Sequence, residues 1–247
     1  NGNVRFLVKK LEEQDLDEYY VVTKAKLDAV VDWDAELNAI NELTALMNGI
    51  NNGNIELAEI ISECKDIRNN TVLVNDILIS CAGHIVPKLP IISNYYNDSI
   101  VINDWAVELD AIIVAFETLD GKHVDTMEDP IENLNGEIII ACLGSVILTE
   151  AFIEEFNKNL DNLGLASYYV VTEEKVNAVD TAEKWDKELV AIQKLEAVVA
   201  SIQDNTITMQ GLKDAQKEVE STIIAKEIFN AVLNANDEEV PTYNLIS

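Results

Sequence analysis

The chain has 247 residues, of which 48% are apolar, 45 are acidic and 17 are basic, for a formal net charge of −28. The apolar share is enough for a sizeable core and argues against wholesale disorder, while four prolines and nine glycines are few for a sandwich or barrel with many tight turns. The acidic excess argues against nucleic acid and anionic membrane surfaces as partners, because both need clustered Lys and Arg. No stretch reaches the roughly 18 apolar residues of a membrane span, so no membrane insertion is predicted.

Residues 1–18 are predicted to be the last helix and exit of a repeat that precedes the rest of the chain. The segment LEEQDLDEYYVVT at residues 11–23 aligns without gaps with LDNLGLASYYVVT at residues 160–172. The pentapeptide YYVVT therefore marks the boundary between repeats rather than a binding element used twice. Thr23 and Thr172 are predicted to cap the helices that follow.

A long amphipathic helix is predicted after each boundary, and each contains a tryptophan. The segments WDAELNAI, WAVELDAI and WDKELVAI start at Trp33, Trp105 and Trp185 and share the pattern W-x-x-E-L-x-A-I. Apolar residues follow Trp33 and Trp185 at the same offsets of 4, 7, 10, 14 and 17. Such offsets form one stripe along a helix of about five turns, so the tryptophans are predicted to anchor a core or an interface.

A glutamate lies three residues after each tryptophan, at Glu36, Glu108 and Glu188. Three interpretations stay open for it. The carboxylate caps the first turn of its own helix, pairs with a basic residue of the next repeat, or is exposed to solvent.

Two further helices are predicted in each repeat. The second helices are expected at Ile55–Ile67, about Asp129–Ile140, and Met209–Val219. The third helices are expected in the aligned segments NTVLVNDIL, SVILTEAFI and STIIAKEIF, which start at Asn70, Ser145 and Ser221. Asn and Ser suit a helix start because their side-chain oxygen can accept a hydrogen bond from a first-turn N–H group.

These elements predict an all-α fold, a tandem array of about 75-residue three-helix repeats arranged as a solenoid or as beads-on-a-string bundles. The tyrosines indicate the same period and are predicted to pack at the boundaries; Tyr19, Tyr95, Tyr168 and Tyr243 lie 76, 73 and 75 residues apart. The predicted division is 1–18 for the end of a preceding repeat, 19–92, 93–167 and 168–242 for repeats 1 to 3, and 243–247 for the start of a further repeat.

No combination of residues predicts catalysis or a cofactor. His84 and His123 are the two histidines, and His84 is expected to interact with the carbonyls at a helix C-terminus. Neither a nucleophile motif nor a phosphate-binding glycine loop is present. The chain is therefore predicted not to be an enzyme.

No metal site is predicted either. The odd number of cysteines and the lack of C-x-x-C spacing indicate that Cys64, Cys81 and Cys142 are small buried hydrophobes. The segment DGKHVDTMED at residues 120–129 lacks the alternating acidic ligands of an EF-hand loop. Calcium binding thus has only the acidic composition to support it.

The order of the motifs also carries a family resemblance, through Ser145–Ile153, Ser221–Phe229, Val240–Pro241 and the helix that starts at Thr172. It resembles the helical repeat arrays of very large secreted or wall-anchored proteins of Firmicutes and related gut bacteria. The resemblance implies a passive stalk or scaffold in an extracellular or cell-surface structure or filament, with neighbouring repeats and further copies of the protein as partners. A protein- or peptide-binding helical solenoid and a structural component of a phage virion are the alternatives.

Overall fold

The computed structural model describes residues 2–120 and 135–237, and all regular secondary structure in these ranges is helical. The predicted all-α class is confirmed. The chain divides into two compact units, which we describe separately. Unit 1 lies within Asn1–Met127 and Gly144–Leu148, and unit 2 within Glu128–Leu143 and Thr149–Ser247.

The helices up to residue 120 belong to unit 1. They are α1 (Gly2–Glu13), α2 (Lys24–Asp28), α3 (Trp33–Asn52), α4 (Leu57–Asn70), α5 (Leu73–Ser80), α6 (Ala82–Ile85), α7 (Ile92–Tyr95) and α8 (Trp105–Asp120), with a 3-10 turn at Val86–Lys88. The later helices are α9 (Gly136–Cys142), α10 (Val146–Asn162), α11 (Glu173–Ala178), α12 (Ala182–Gln203), α13 (Met209–Val219) and α14 (Ile224–Asp237). The first residues of α10 belong to unit 1, and the rest of the helix belongs to unit 2.

The three tryptophan helices form where the pattern predicts them, and the residue before the tryptophan decides where each begins. Asp32 and Asp104 precede α3 and α8, and each carboxylate accepts two first-turn N–H groups at 2.9–3.3 Å. Lys184 occupies that position before the third tryptophan and cannot accept a hydrogen bond. Helix α12 therefore starts earlier, at Ala182, where the Thr181 hydroxyl is the cap.

The second helices α4 and α13 each begin 24 residues after their tryptophan. Met209–Val219 has the predicted bounds, whereas Ile55–Ile67 is shifted to Leu57–Asn70. Residues 129–134 of the remaining predicted helix lie outside the described residues. In the described part, Asn135 is extended and caps α9, which starts at Gly136 and ends two residues after the predicted Ile140.

The third helices α5, α10 and α14 confirm three predicted elements but correct their alignment. Ser145 directly precedes α10, and its Oγ accepts the Leu148 N–H at 3.1 Å as a cap. Asn70 and Ser221 instead lie three residues before α5 and α14. The predicted alignment of Ser145 with these two residues is therefore wrong by two positions, because Ser145 directly precedes its helix and the other two residues do not.

The segments that align around YYVVT share one backbone conformation. Helices α1 and α10 are each followed by a residue with positive φ, Asp15 at 55° and Gly164 at 69°. The next residues, Leu16 and Leu165, are buried and donate to the carbonyls five residues back at 2.9 and 2.7 Å. This is the Schellman arrangement, which reverses the chain after a helix.

Each unit has its own core around a tryptophan helix. In unit 1, α3 packs against α1, α4 and α5, and α8 packs against α4, α5 and α6. In unit 2, α12 packs against α9, α13 and α14. The buried residues of α3 and α12 lie at 3- and 4-residue spacing, such as Ile40, Leu43 and Met47, as the apolar stripe predicts.

Candidate functional site

The three repeated glutamates are buried and bind the start of a distant helix. Glu36 is 2% exposed, and its two carboxylate oxygens accept the N–H groups of Val72, Leu73 and Val74 at 2.8–2.9 Å. Val72 directly precedes α5, and Leu73 and Val74 are its first two residues, so a side chain of α3 completes the hydrogen bonding of another helix.

The same contact occurs twice more. Glu108 accepts the Ser145 hydroxyl at 2.5 Å and the N–H groups of Val146 and Ile147 at 2.9 and 3.1 Å, at the start of α10. Glu188 accepts the first N–H groups of α14, including that of Ala225 at 2.9 Å. Both glutamates are at most 2% exposed.

All three interpretations of these glutamates are wrong, since each carboxylate caps a helix that starts more than 35 residues later. The N-terminus of a helix carries unpaired N–H groups and the positive end of its dipole, so it can stabilise a buried carboxylate without a basic side chain. A usable signal was present in the sequence. Glu36 lies four and seven residues before the buried Ile40 and Leu43, on the apolar stripe itself.

The second tyrosine of each YYVVT segment contacts the third helix through a carboxylate. Tyr20 is buried, and its hydroxyl donates to Asp76 Oδ2 at 3.0 Å. Lys26 forms an ion pair with Asp76, and its Nζ lies 4.1 Å from the centre of the Tyr20 ring. Tyrosine, carboxylate and lysine thus join the first YYVVT segment to the fourth residue of α5.

The equivalent cluster in unit 2 consists of Tyr169, Glu227 and Lys175. The Tyr169 hydroxyl donates to Glu227, and Lys175 Nζ lies 2.6 Å from the other oxygen of the same carboxylate. Glu227 is the fourth residue of α14, as Asp76 is of α5. The lysine lies six residues after the tyrosine in both clusters.

Burial and hydrogen bonding change the ionisation of these groups. Burial, together with the carboxylate partner, raises the pKa of Tyr20 and of Tyr169 above the ordinary phenol value. The lysine hydrogen bond, followed by that of the tyrosine, lowers the pKa of Asp76 and of Glu227. Both clusters therefore keep a neutral phenol, a carboxylate and an ammonium group at neutral pH.

Tyr19, Tyr95 and Tyr168, which are predicted to pack at the boundaries, are not fully buried. Tyr19 is 45% exposed, and its ring lies 4.8 Å from the His84 ring. Tyr95 and Tyr168 are half-buried, and Tyr168 Oη accepts a hydrogen bond from Gln203 at 2.9 Å. Tyr243 lies outside the described residues.

The tryptophans differ in burial. Trp185 is fully buried. Its ring centre lies 5.2 Å from that of Phe152 and 6.1 Å from that of Phe156, and both pairs are T-shaped. Trp33 and Trp105 are half-buried. A Cβ at Gly83 would lie 2.8 Å from Trp105 Cδ1, so the indole packs directly on the backbone of α6.

The second helix of one predicted repeat packs on the tryptophan helix of the next in both units. In unit 1, α4 contacts α8, where Arg68 forms an ion pair with Asp110 and Lys65 with Glu117. In unit 2, α9 contacts α12 at Gly136. A Cβ at Gly136 would lie 1.9 Å from the Ala182 carbonyl oxygen, so glycine is required at this contact.

Several smaller predictions have clear outcomes. The Thr23 hydroxyl caps α2 at 3.4 Å, whereas Thr172 lies at the cap position of α11 without a side-chain bond there. The side chain of His84 contacts Lys88 Nζ at 2.8 Å rather than a helix-end carbonyl. His123 and the DGKH turn lie outside the described residues.

The three cysteines are free and buried, as predicted. They are at most 8% exposed, and burial raises the pKa of each thiol to about 12. Within residues 2–120 and 135–237, no three His, Cys, Asp or Glu side chains are grouped as metal ligands. In the same ranges, no helix has the length and apolarity needed to cross a membrane.

Comparison of the chain with protein-family models, curated proteins and solved structures gave no match. The repeated internal contacts are therefore the observations from which a function can be argued.

Proposed function

We propose that this chain is a non-enzymatic structural region of a tandem helical repeat protein, a stalk or scaffold in a large bacterial surface or extracellular filament protein. The observation that carries the proposal is the buried glutamate cap, which joins the tryptophan helix to the third helix in three successive copies. A residue that makes the same internal contact in every copy has a structural role within that copy.

The contacts between copies support an array. The α4–α8 contact in unit 1 and the α9–α12 contact in unit 2 join the same two positions of successive repeats. In a repeat protein each copy buries apolar surface against its neighbour, so stability comes from nearest-neighbour interfaces and further copies can be added. Neighbouring repeats are accordingly the proposed partners.

The extracellular location draws on the family resemblance and on the charge. A net charge of −28 keeps long molecules apart by mutual repulsion, a property that suits a crowded surface layer.

The array can be tested by deleting one period. Removal of residues 95–167 puts Tyr168 in the place of Tyr95, so that α12 follows α4 and α5 as α8 does now. We expect the shortened chain to keep its helicity per residue and to unfold cooperatively in circular dichroism. Removal of residues 95–131, about half a period, is the control and should abolish cooperative unfolding. Equal behaviour of the two deletions would contradict the array.

The location needs a separate experiment. In the bacterium that encodes the chain, protease treatment of intact cells should release fragments that contain residues 19–242, and an antibody to these residues should label unbroken cells. Detection only after lysis, or only in purified phage particles, would refute the surface role.

A further inference from the structure

A basic cleft lies between α13 and α14 in unit 2. It has a volume of about 360 Å³, and its floor contains the buried Val219 and Phe229. The exposed residues around it are Lys213, Gln216, Lys217, Glu220, Lys226 and Asn230. No ion pair joins these three lysines to another described residue. Three free ammonium groups around one cleft are unexpected in a chain of charge −28.

The cleft between α13 and α14 corresponds to a surface of α4 and α5 in the first repeat. Because α4 and α13 both begin 24 residues after their tryptophan, residues of α13 match residues of α4 one for one along these helices. The residues of α13 that line the cleft match Ile61, Cys64, Lys65 and Ile67 of α4, and Glu220, directly after α13, matches Arg68. Counted from the start of the third helix, those of α14 match Asn75, Leu78 and Ile79 of α5.

That surface of α4 and α5 is covered by α8 in unit 1. Ile61 and Cys64 are buried, 7% and 1% exposed, and Lys65 and Arg68 form ion pairs with α8. Lys65 pairs with Glu117, and the later Arg68 pairs with the earlier Asp110, so α8 runs antiparallel to α4. The α4–α5 surface is an acceptor for an acidic helix.

Resting on the repeat array proposed above, we propose that the α13–α14 cleft binds an acidic amphipathic helix of the α8 type from a neighbouring repeat. Lys217, at the position of Lys65, receives the carboxylate that corresponds to Glu117. Lys213 lies one turn earlier on α13 and, in the antiparallel arrangement, receives a carboxylate one turn later on the bound helix, near position 120.

One residue that differs from unit 1 determines which charge pattern the cleft prefers in the bound helix. Glu220 occupies the position of Arg68, so a carboxylate at the position of Asp110 would be repelled. The preferred partner is therefore acidic in its last two turns and neutral in the turn before them. The apolar floor of Val219 and Phe229 receives the apolar stripe of the bound helix.

The probe is a fluorescein-labelled peptide of residues 103–120 that carries Asp110→Asn, titrated with the full chain at constant ionic strength. We expect a saturable rise in anisotropy, with backbone amide shifts of α13 and α14 in nitrogen-15 NMR spectra. The unaltered peptide should bind more weakly, because its Asp110 faces Glu220. The K213E/K217E variant should bind the probe about tenfold more weakly, since two attractive pairs become repulsive.

Charge reversal on both sides provides the specific test. A probe that also carries Glu117→Lys and Asp120→Lys should lose binding to the wild-type chain and regain it with K213E/K217E. The matched control, K184E/K187E, makes the same change in net charge on the exposed face of α12 and should leave binding of the original probe unchanged. Circular dichroism confirms that each variant is folded.

Three outcomes would overturn the inference. They are no saturable binding up to about millimolar peptide, equal loss of binding in the cleft and control variants, and displacement of the probe by inorganic phosphate with the same amide shifts, which would identify a small-anion site. The deletion of residues 95–167 leaves the cleft residues unaltered. Failure of the peptide test with a stable deletion variant therefore refutes the cleft alone, whereas collapse of the deletion variant refutes the array.

Discussion

Removal of the Glu36 carboxylate should destabilise unit 1 far more than removal of any exposed acid on the same helix. The side chain is 2% exposed and accepts three N–H groups of α5 at 2.8–2.9 Å. Glu36→Ala leaves those first-turn donors without an acceptor at a buried helix end. One unsatisfied buried donor costs about 1–3 kcal/mol, and water that enters the space left by the side chain recovers part of this.

The expected loss for Glu36→Ala is therefore about 3–5 kcal/mol of unfolding free energy. Glu36→Gln keeps one acceptor oxygen, and its amide group faces the Val74 N–H, donor against donor. The expected loss is then about 1.5–3 kcal/mol. Asp34→Ala is the control, because Asp34 is an exposed carboxylate in the first turn of the same helix and should contribute below about 1 kcal/mol.

Urea unfolding followed by far-ultraviolet circular dichroism measures these differences. Hydrogen exchange gives a local measurement, and the amides of Val72, Leu73 and Val74 should exchange much faster in Glu36→Ala than in Asp34→Ala. If both variants lose the same stability and these amides stay protected, the carboxylate is not the cap and the reasoning fails. Glu188→Ala and Glu188→Gln should lose comparable amounts of stability, because Glu188 makes the equivalent contacts with the start of α14.

Three further predictions concern packing, pH and thiol chemistry. Gly136→Ala should lower the unfolding free energy by about 2–4 kcal/mol, because the new methyl group would overlap the Ala182 carbonyl where α9 packs on α12. Gly211→Ala is the control and should leave the unfolding free energy nearly unchanged, because its methyl group would meet only side-chain atoms at 3.3–3.4 Å. Thermal melts of the two variants measure this difference. The lowered pKa of Glu227 predicts a stabilising contribution that is fully present above the unfolded carboxyl pKa and is lost as the pH falls through the folded value. Unfolding free energies of the wild type and Glu227→Gln should therefore converge in acid, and a constant difference would contradict the cluster. Burial raises the pKa of each thiol to about 12, so a disulfide reagent at pH 8 should label the native chain very slowly. The denatured chain should be labelled at three sites. Rapid labelling of the native chain would contradict the burial of Cys64, Cys81 and Cys142.

Much of the fold could be predicted because it depends on local periodicity. The apolar stripe after each tryptophan determines α3, α8 and α12, and the polar or glycine-containing segments at Gly53 and Asp204 end α3 and α12. The gapless alignment around YYVVT predicts a shared conformation, which Asp15 and Gly164 adopt with positive φ. The helix starts were less predictable, since one residue such as Lys184 in place of aspartate moves a helix terminus by a full turn.

The contacts at the candidate sites were harder to predict because both partners must be known. Tyr19 and Tyr168 recur with the period, but their neighbours Tyr20 and Tyr169 make the contacts with the third helix. Adjacent residues point in different directions, and only the arrangement of α5 and α14 determines which tyrosine meets a carboxylate.

The sequence by itself determined that this protein is helical, where the apolar stripes of its tryptophan helices lie, and that one pattern recurs three times, because these properties depend on residues close together in the chain. The tertiary structure decided the role of Glu36, Glu108 and Glu188. A buried carboxylate is stable only where donors converge on it, and those donors come from the start of a helix more than 35 residues away, which the packing of α3 on α5 and of α12 on α14 brings within hydrogen-bond distance.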